Sequence, residues 1–426
     1  VPGRAAIAIV RISGPQAGSA LRALAGALPQ PRRARYVRLK NSKGGEDIDD
    51  AIALWFPAPH SVTGEDVAEL QVHGSRAVVA ALIAALGRLG LRLAEPGEFT
   101  RRAFFNDKLD LVQAEAIADL TAAETEAQRR QALRQLDGEL GAIYRGWSAR
   151  LLRTLAHLEA AIDFPDEDLP PEIEAGVLGE TARLIVEIEA HLADGRRGER
   201  LRDGITIAIV GPPNAGKSSL LNQLARREVA ITSPIAGTTR DVIEVAIDLA
   251  GYPVVLADTA GLRDSADEIE QEGLRRALAR AAAAELRLFV FDAQNPHAAV
   301  GAAAWPGADT LLVANKIDRG VDLSTLPPGV LAISARTGEG VAHLIETVAQ
   351  RIAADYHPAA PLLTRARHRA ALEEARDALR RALDAPLPEL RAEDLRFAWR
   401  ALGRITGHVD VEDLLDVIFA EFCIGK

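Results

Sequence analysis

The chain has 426 residues, 48% of them hydrophobic and 26% charged, with a formal net charge of −10. That length suits two or three domains with separate cores, and the charge excludes broad electrostatic coating of nucleic acid, leaving only local basic patches for such contact. A single cysteine excludes an internal disulfide framework and suits a reducing, cytoplasmic compartment, and the longest apolar run, residues 77–86, is too short to span a bilayer.

The chain opens at Val1 and holds no methionine. Two expectations follow: residues preceding Val1, or methionines left out along the chain with spacings compressed there. Residues 1–108 mix strands and turns. Residues 5–12 run apolar, 36–40 and 51–56 are suited to pair across the polar turn 41–50, and a further strand covers 67–72, which predicts an α+β domain. From Leu109 the character becomes helical. Leu136, Leu140, Ile143, Trp147, Leu151, Leu155, Leu158 and Ile162 recur at three- and four-residue spacing, one sustained apolar stripe. Pro165, Pro170 and Pro171 break it before a helix over 172–192. Residues 204–355 alternate short apolar strands with polar loops, and amphipathic helices resume over 365–383, 393–405 and 411–422. The simplest arrangement is multidomain. An α+β domain covers 1–108; an all-α helical bundle is formed by 109–203 with 356–426; an α/β domain, 204–355, is inserted between its two parts. The basic clusters at 32–40 and 365–369 are candidates for RNA contact or are solvated faces.

The inserted domain carries the chemistry. Gly211-Pro-Pro-Asn-Ala-Gly-Lys-Ser218 fits the phosphate-wrapping loop G-x-x-x-x-G-K-[ST], with a strand before it and a helix after it. Gly211 and Gly216 let the backbone approach, so that the loop and helix start from Asn214 and Ala215 to Ser219 face phosphate. Lys217 reaches the β/γ oxygens and Ser218 holds Mg²⁺. Asp258-Thr-Ala-Gly261 ends a strand: Asp258 reaches the Mg²⁺ shell and Gly261 the γ-phosphate, with Thr259 and Ala260 between. Asn315-Lys-Ile-Asp318 ends another, and Asp318 can accept from guanine's ring N–H and exocyclic amine, donors that adenine does not present together. Lys316 lies within this loop, and Ser334, Ala335 and Arg336 close over the base. Fragments in this order, each at a strand's carboxyl end, select GTP in an α/β P-loop GTPase domain. Gly237-Thr-Thr-Arg-Asp241 is placed as a switch whose Thr239 completes Mg²⁺ coordination. Leu262 stands where many GTPases have a glutamine that orients water. Either hydrolysis is slow or another group is recruited: an acid among Asp264, Asp267, Glu268 and Glu270, or a cation near Asn214.

With these pieces placed, the chain resembles the MnmE (TrmE) family of tRNA-modification GTPases. The resemblance rests on Val10-Arg-Ile-Ser-Gly-Pro15, on Thr63-Gly-Glu-Asp66 with Glu69-Leu-Gln-Val-His-Gly74, and on Glu95 to Phe104 with Lys108-Leu-Asp110. The GTPase fragments and Phe422-Cys-Ile-Gly-Lys426 complete it. It implies a folate-binding N-terminal domain that dimerises, taking 5-formyl- or 5,10-methylene-tetrahydrofolate. A flavoprotein partner, MnmG (GidA), would hold FAD and NADH. Together they would install the 5-carboxymethylaminomethyl group on the wobble uridine of certain tRNAs. Arg11, Glu69 and Lys108 match the family's folate positions, with Lys426 brought in by the fold; Glu65 is the alternative to Glu69. The family's GTPase domains resemble one another in depending on K⁺ and pairing across the nucleotide. Asn214, Ser233, Ile235 and Thr238 match the cation's ligands, Pro234 and Ala236 lie in the same segment, and Glu270 matches the acid that orients water.

Cys423 fails as a prenylation box, because Gly425 is not aliphatic. An inert packed thiol and, by the resemblance, a functional thiol near the folate both remain. Ser75 departs from the family's second glycine after His73-Gly74. A different class of function also stays open: a regulatory GTPase switch in RNA or ribosome assembly, which would need neither the N-terminal stretches nor Cys423.

Overall fold

A computed structural model describes residues 5–41, 45–163, 172–227, 229–230, 244–258, 279, 282–304, 309–356, 362–409, 415 and 418–419. The chain divides into two compact units, Val1–Ala118 with Gly141–Ser148 and Arg400–Lys426, and Asp119–Leu140 with Ala149–Trp399.

In the first unit, β1 (Ile7–Ser13), β2 (Arg35–Lys40), β3 (Asp47–Phe56) and β4 (Val67–His73) form an antiparallel sheet in the order β1-β4-β3-β2. Tyr36 pairs with Ile52 across the polar turn, as the strand pattern predicts. Helices α1 (Ala17–Ala25) and α2 (Arg76–Arg88) supply Leu21, Leu24, Leu82 and Ala85 to a core closed by Leu39, Ala53 and Leu70, all 2% exposed or less. The other edge of the unit holds α3 (Glu98–Phe105) and the start of α4 (Leu111–Ala122). There Leu111 and Ala114 pack with Leu415, Ile418 and Phe419 from the far end of the chain.

In the second unit, α5 (Glu126–Leu136) opens with a capping box, Thr125 and Gln128 each satisfying the other's backbone N–H. The apolar stripe expected to run on from Leu136 is two helices. The chain turns at Gly138, at φ +86°, a conformation that ends a helix, and α6 (Glu139–Asp163) begins afresh. Along α6, of which Gly141–Ser148 count with the first unit, Leu140, Trp147, Leu151, Leu155 and Leu158 are buried as the spacing requires, joined by Tyr144, which the stripe omitted.

Helices α7 (Glu172–Leu192), α8 (Arg197–Asp203), α11 (Ala366–Asp384) and α12 (Pro388–Thr406) complete the bundle. Its parts before and after the sheet are joined by ion pairs, among them Arg369 to Asp194 at 2.7 Å and Arg396 to Glu159 at 2.7 Å. The 365–369 cluster is therefore not an RNA face at its two ends. Arg365 and Arg369 are buried, held by Asp119 and by Asp194 with Glu199, because an unpaired guanidinium there would carry a large desolvation cost. In the other basic cluster Arg38 is paired with Asp50 and Asp47.

The inserted sheet has the order β11-β10-β9-β5-β8-β7-β6. Strands β5 (Ile205–Val210), β8 (Tyr252–Asp258), β9 (Leu286–Asp292), β10 (Asp309–Asn315) and β11 (Leu331–Ala332) run parallel. Strands β7 (Glu244–Leu249) and β6 (Val229–Ala230) add an antiparallel edge. Helices α9 (Lys217–Arg227) and α10 (Val341–Asp355) cover a core of Ile207, Leu256, Leu288 and Val313. Both faces being covered, the inner strands are largely apolar, as β5 shows apart from Thr206, and β9 apart from the buried Arg287 and the terminal Asp292.

Candidate nucleotide site

Five parallel strands place their carboxyl ends side by side, and the loops leaving them meet there. The loop after β5 approaches its neighbours so closely that a Cβ on Gly211 would lie 2.0 Å from the Val290 carbonyl oxygen. One on Gly216 would lie 2.3 Å from Asn315 Nδ2. Asn214 within it adopts φ +60°, a strained value for a residue with a side chain. Lys217, 7% exposed at the start of α9, turns its ammonium back over the loop and donates to the carbonyls of Gly211 and Pro212, both at 3.0 Å. A cation over a glycine-framed loop at a helix start is an anion cradle, and it fits phosphate. Ser218 and Ser219 lie exposed on the first turn of α9. Asp258 is the last residue of β8 and stands in register with Ile209, beside the loop.

Asn315, 2% exposed, ties three loops together. Its Nδ2 donates to the Ala215 carbonyl at 2.8 Å, and its Oδ1 accepts from the amides of Lys316 at 2.8 Å and Ala335 at 2.9 Å. Lys316, also left-handed at φ +69°, donates from Nζ to the Asn214 carbonyl at 2.6 Å and to Asp292 at 2.8 Å. Asp318 accepts from the buried Ser334 hydroxyl at 2.7 Å and meets Arg336 at 2.6 Å. The Ser334 hydroxyl, followed by the Arg336 charge, holds the Asp318 carboxyl below the usual carboxylate range. It is thus an ionised acceptor at neutral pH, the form that reads adjacent N–H donors. Asp292 is a site residue that motif matching passes over. It stands alone at the end of β9, and its position at a carboxyl strand end was the available signal.

Several candidates fall outside the described residues: Ser233, Pro234, Ile235, Ala236, Gly237, Thr238, Thr239, Thr259, Ala260, Gly261, Leu262, Glu270, Cys423 and Lys426. The same holds for the side chain of Asp258.

In the first unit, the antiparallel register sets Arg11 opposite Glu69. Arg11 Nε donates to Glu69 Oε1 at 2.8 Å, and the guanidinium lies 5.9 Å from the centre of the Phe99 ring. Arg11 lines a cavity of about 630 Å³ with Phe99, Glu98 and Arg102. Glu65 is otherwise engaged: it accepts from Ser13 at 3.0 Å and Arg102 at 2.7 Å, and so closes the 61–66 loop onto β1. Lys108 is not brought to Arg11. It lines a separate cavity of about 940 Å³ with Phe104, Asp110, Arg145 and His408.

Residues 1–108 match the model of the GTP-binding protein TrmE N-terminus, and residues 111–423 match that of the MnmE helical domain. The tRNA modification GTPase MnmE of Rhodospirillum rubrum is 57% identical, covering 100% of this chain and 97% of its own length. That of Paramagnetospirillum magneticum is 59% identical, with the same coverage of both chains. That of Parvibaculum lavamentivorans is 56% identical over 100% of this chain and 98% of its own. Among the described residues no helix is long and apolar enough to cross a membrane. With both family models matched in sequence order and full-length relatives above half identity, the chain belongs to the MnmE family of tRNA modification GTPases.

Proposed function

We propose that this chain hydrolyses GTP in a K⁺-dependent manner and that hydrolysis drives wobble-uridine modification of tRNA with a flavoprotein partner of the MnmG kind, in the cytoplasm. The domain divisions 1–108, 109–203, 204–355 and 356–426 belong to the same reading. The observation that carries it is the convergence of Lys217, Asn315 and the ionised Asp318 at one end of the parallel sheet. Lys217 neutralises phosphate charge, and Asp318 selects guanine by accepting its two adjacent donors, a preference worth roughly 10⁴–10⁵ over a base lacking them. Mg²⁺ would be held by Ser218 and Thr239, with Asp258 in its outer shell. It would supply charge neutralisation between the phosphates. Asn214, Ser233, Ile235 and Thr238 would hold K⁺ in the role of an arginine finger, and Glu270 would orient water where Leu262 cannot.

The Arg11–Glu69 pair over Phe99 suits the first unit to a folate. The guanidinium and carboxylate offer a paired donor and acceptor to a pterin edge, and the ring offers a stacking surface. Lys108, Lys426 and Cys423 complete the reading, as the folate's further contacts and a thiol beside the transferred carbon. The homodimer would form through this unit.

The test is turnover of the full chain in K⁺ and in Na⁺ with GTP or ATP. Fast GTP cleavage in K⁺ alone supports the reading, and equal rates in both salts remove the cation from it. Glu270→Ala should stop turnover while GTP still binds, and formyl-tetrahydrofolate should saturate the wild type but not Arg11→Ala.

A further inference from the structure

The second unit holds a cavity of about 160 Å³ that none of the functions above uses. Its walls come from Gln131 and Gln135 on α5, Leu140 at the start of α6, Leu201 on α8, Tyr252 at the start of β8 and Tyr356 after α10. Thr364, just before α11, completes them. The two tyrosine rings lie 6.3 Å apart at 52°, and Leu140 and Leu201 are 1% and 7% exposed, so the cavity is largely apolar. Buried side-chain oxygens of Gln131, Gln135 and Thr364 interrupt it. Thr364 is 2% exposed and its Oγ1 has no hydrogen-bond partner, and neither has Gln131 Oε1, although Gln131 Nε2 is spent on the Gly198 carbonyl at 3.0 Å. Charges at the rim are paired with one another, Arg134 with Glu139 at 2.8 Å and Arg130 with Glu126 at 2.7 Å.

These features define a ligand. A cavity of about 150 Å³ lined only by hydrocarbon stays dry and takes a single benzene ring. This one has the same room but buried oxygens, and for those of Gln131 and Thr364 nothing in the protein offsets the lost hydration. Gln131 Oε1 can only accept, so the occupant must donate; the neutralised rim disfavours an ion. Tyr252 is the first residue of β8, and the last residue of that strand is Asp258, beside the phosphate loop. In the same hairpin the Gly251 carbonyl accepts from the Ala127 amide of α5 at 3.0 Å. One strand therefore runs from the cavity wall to the nucleotide site.

We propose that this cavity is a second ligand site, taking a neutral single-ring aromatic with a hydroxyl or amino donor, and that its occupancy is linked through β8 to the nucleotide. The linkage, though not the site, rests on the GTPase reading.

Phenol and toluene serve as probes of the full chain, being alike in size and differing in the donor. Phenol should bind saturably by calorimetry and raise the melting temperature, with toluene roughly tenfold weaker. Gln131→Leu and Thr364→Val, close in volume to the native residues, should each cost phenol roughly tenfold and leave toluene unchanged or tighter. Toluene binding the wild type as tightly as phenol, or neither binding below its solubility limit, would overturn the site and leave the cavity to ordered water. That comparison needs no variant to fold. Phenol affinity should differ by at least about threefold between the GDP-bound and nucleotide-free chain, with GDP affinity changed by the same factor in phenol. Equal affinities would remove the linkage. A chain that binds phenol but no guanine nucleotide would sink the GTPase reading and leave the site standing.

Discussion

The nucleotide loops and the Arg11–Glu69 pair both bring distant residues together, but by different geometry. Lys217, Asp292, Asn315 and Asp318 converge because parallel strands deliver every loop to the same end of the sheet. Each loop there is a short consecutive stretch whose backbone must turn tightly, so its residue types are constrained one after another. Arg11 and Glu69 meet in mid-strand, on antiparallel neighbours, where only register decides who faces whom. A loop site leaves a motif in the chain; a register site leaves two unremarkable charges 58 positions apart.

If that contrast is right, losing a loop residue should be severe and specific, whereas the ion pair in the second region should add little to stability. Asp318→Ala should lower GTP affinity by roughly 10⁴ and leave ATP binding where it was, measured by calorimetry. A loss under tenfold would put base selection elsewhere. Lys217→Ala should keep the fold and reduce turnover by about 10²–10³, as expected when one charge-stabilising donor is removed; activity within a factor of three would count against the anion cradle. Asn315→Ala deletes both ends of a three-bond buried junction and should destabilise the chain by about 3 kcal/mol in denaturant unfolding. A change below roughly 0.5 kcal/mol would mean that the loops are held by other contacts.

The mid-strand pair, partly open to water, should show a coupling of only about 0.5–1 kcal/mol in a double-mutant cycle of Arg11→Ala and Glu69→Ala. A coupling as large as the Asn315 effect would erase the contrast. The smallest effect is a pH dependence at Glu98. Burial alone would raise its carboxyl, but Arg92, the Glu95 amide and Arg102 outweigh it and bring it from 4.5 to about 2. A depressed carboxylate stabilises the folded state fully above its unfolded value, so this contribution should fade as pH falls from about 4.5 through about 2. Glu98→Gln should flatten acid unfolding of the chain in that window, and an unchanged profile would assign the acid sensitivity to other groups.

Much of the molecule was legible in one dimension. The strand–loop–helix at Gly211, the Asn315–Asp318 loop and the Ser334 turn could be read because each is a run of consecutive residues at a strand end. The helices over 172–192, 365–383 and 393–405 could be read because a half-buried helix repeats its apolar side every three or four residues, while the one expected over 411–422 falls mostly outside the described residues. The break at Gly138 was hidden, since Leu136 and Leu140 keep the helical spacing across it and only the backbone angle reveals the turn. The inward turn of Arg365 and Arg369 was hidden as well. Their carboxylate partners, Asp119 and Asp194, lie 246 and 175 positions away, and charge runs are normally solvated.

Local stereochemistry and periodicity, which act between near neighbours in the chain, thus determined the class of most described segments and the strand–loop–helix at Gly211. Tertiary structure decided which charges are buried as pairs, that Asp292 joins the nucleotide loops, that Arg11 faces Glu69 while Lys108 lies in another cavity, and that buried oxygens line an apolar chamber behind β8. Those outcomes depend on register, crossover and packing between residues remote in sequence, which no window along the chain contains.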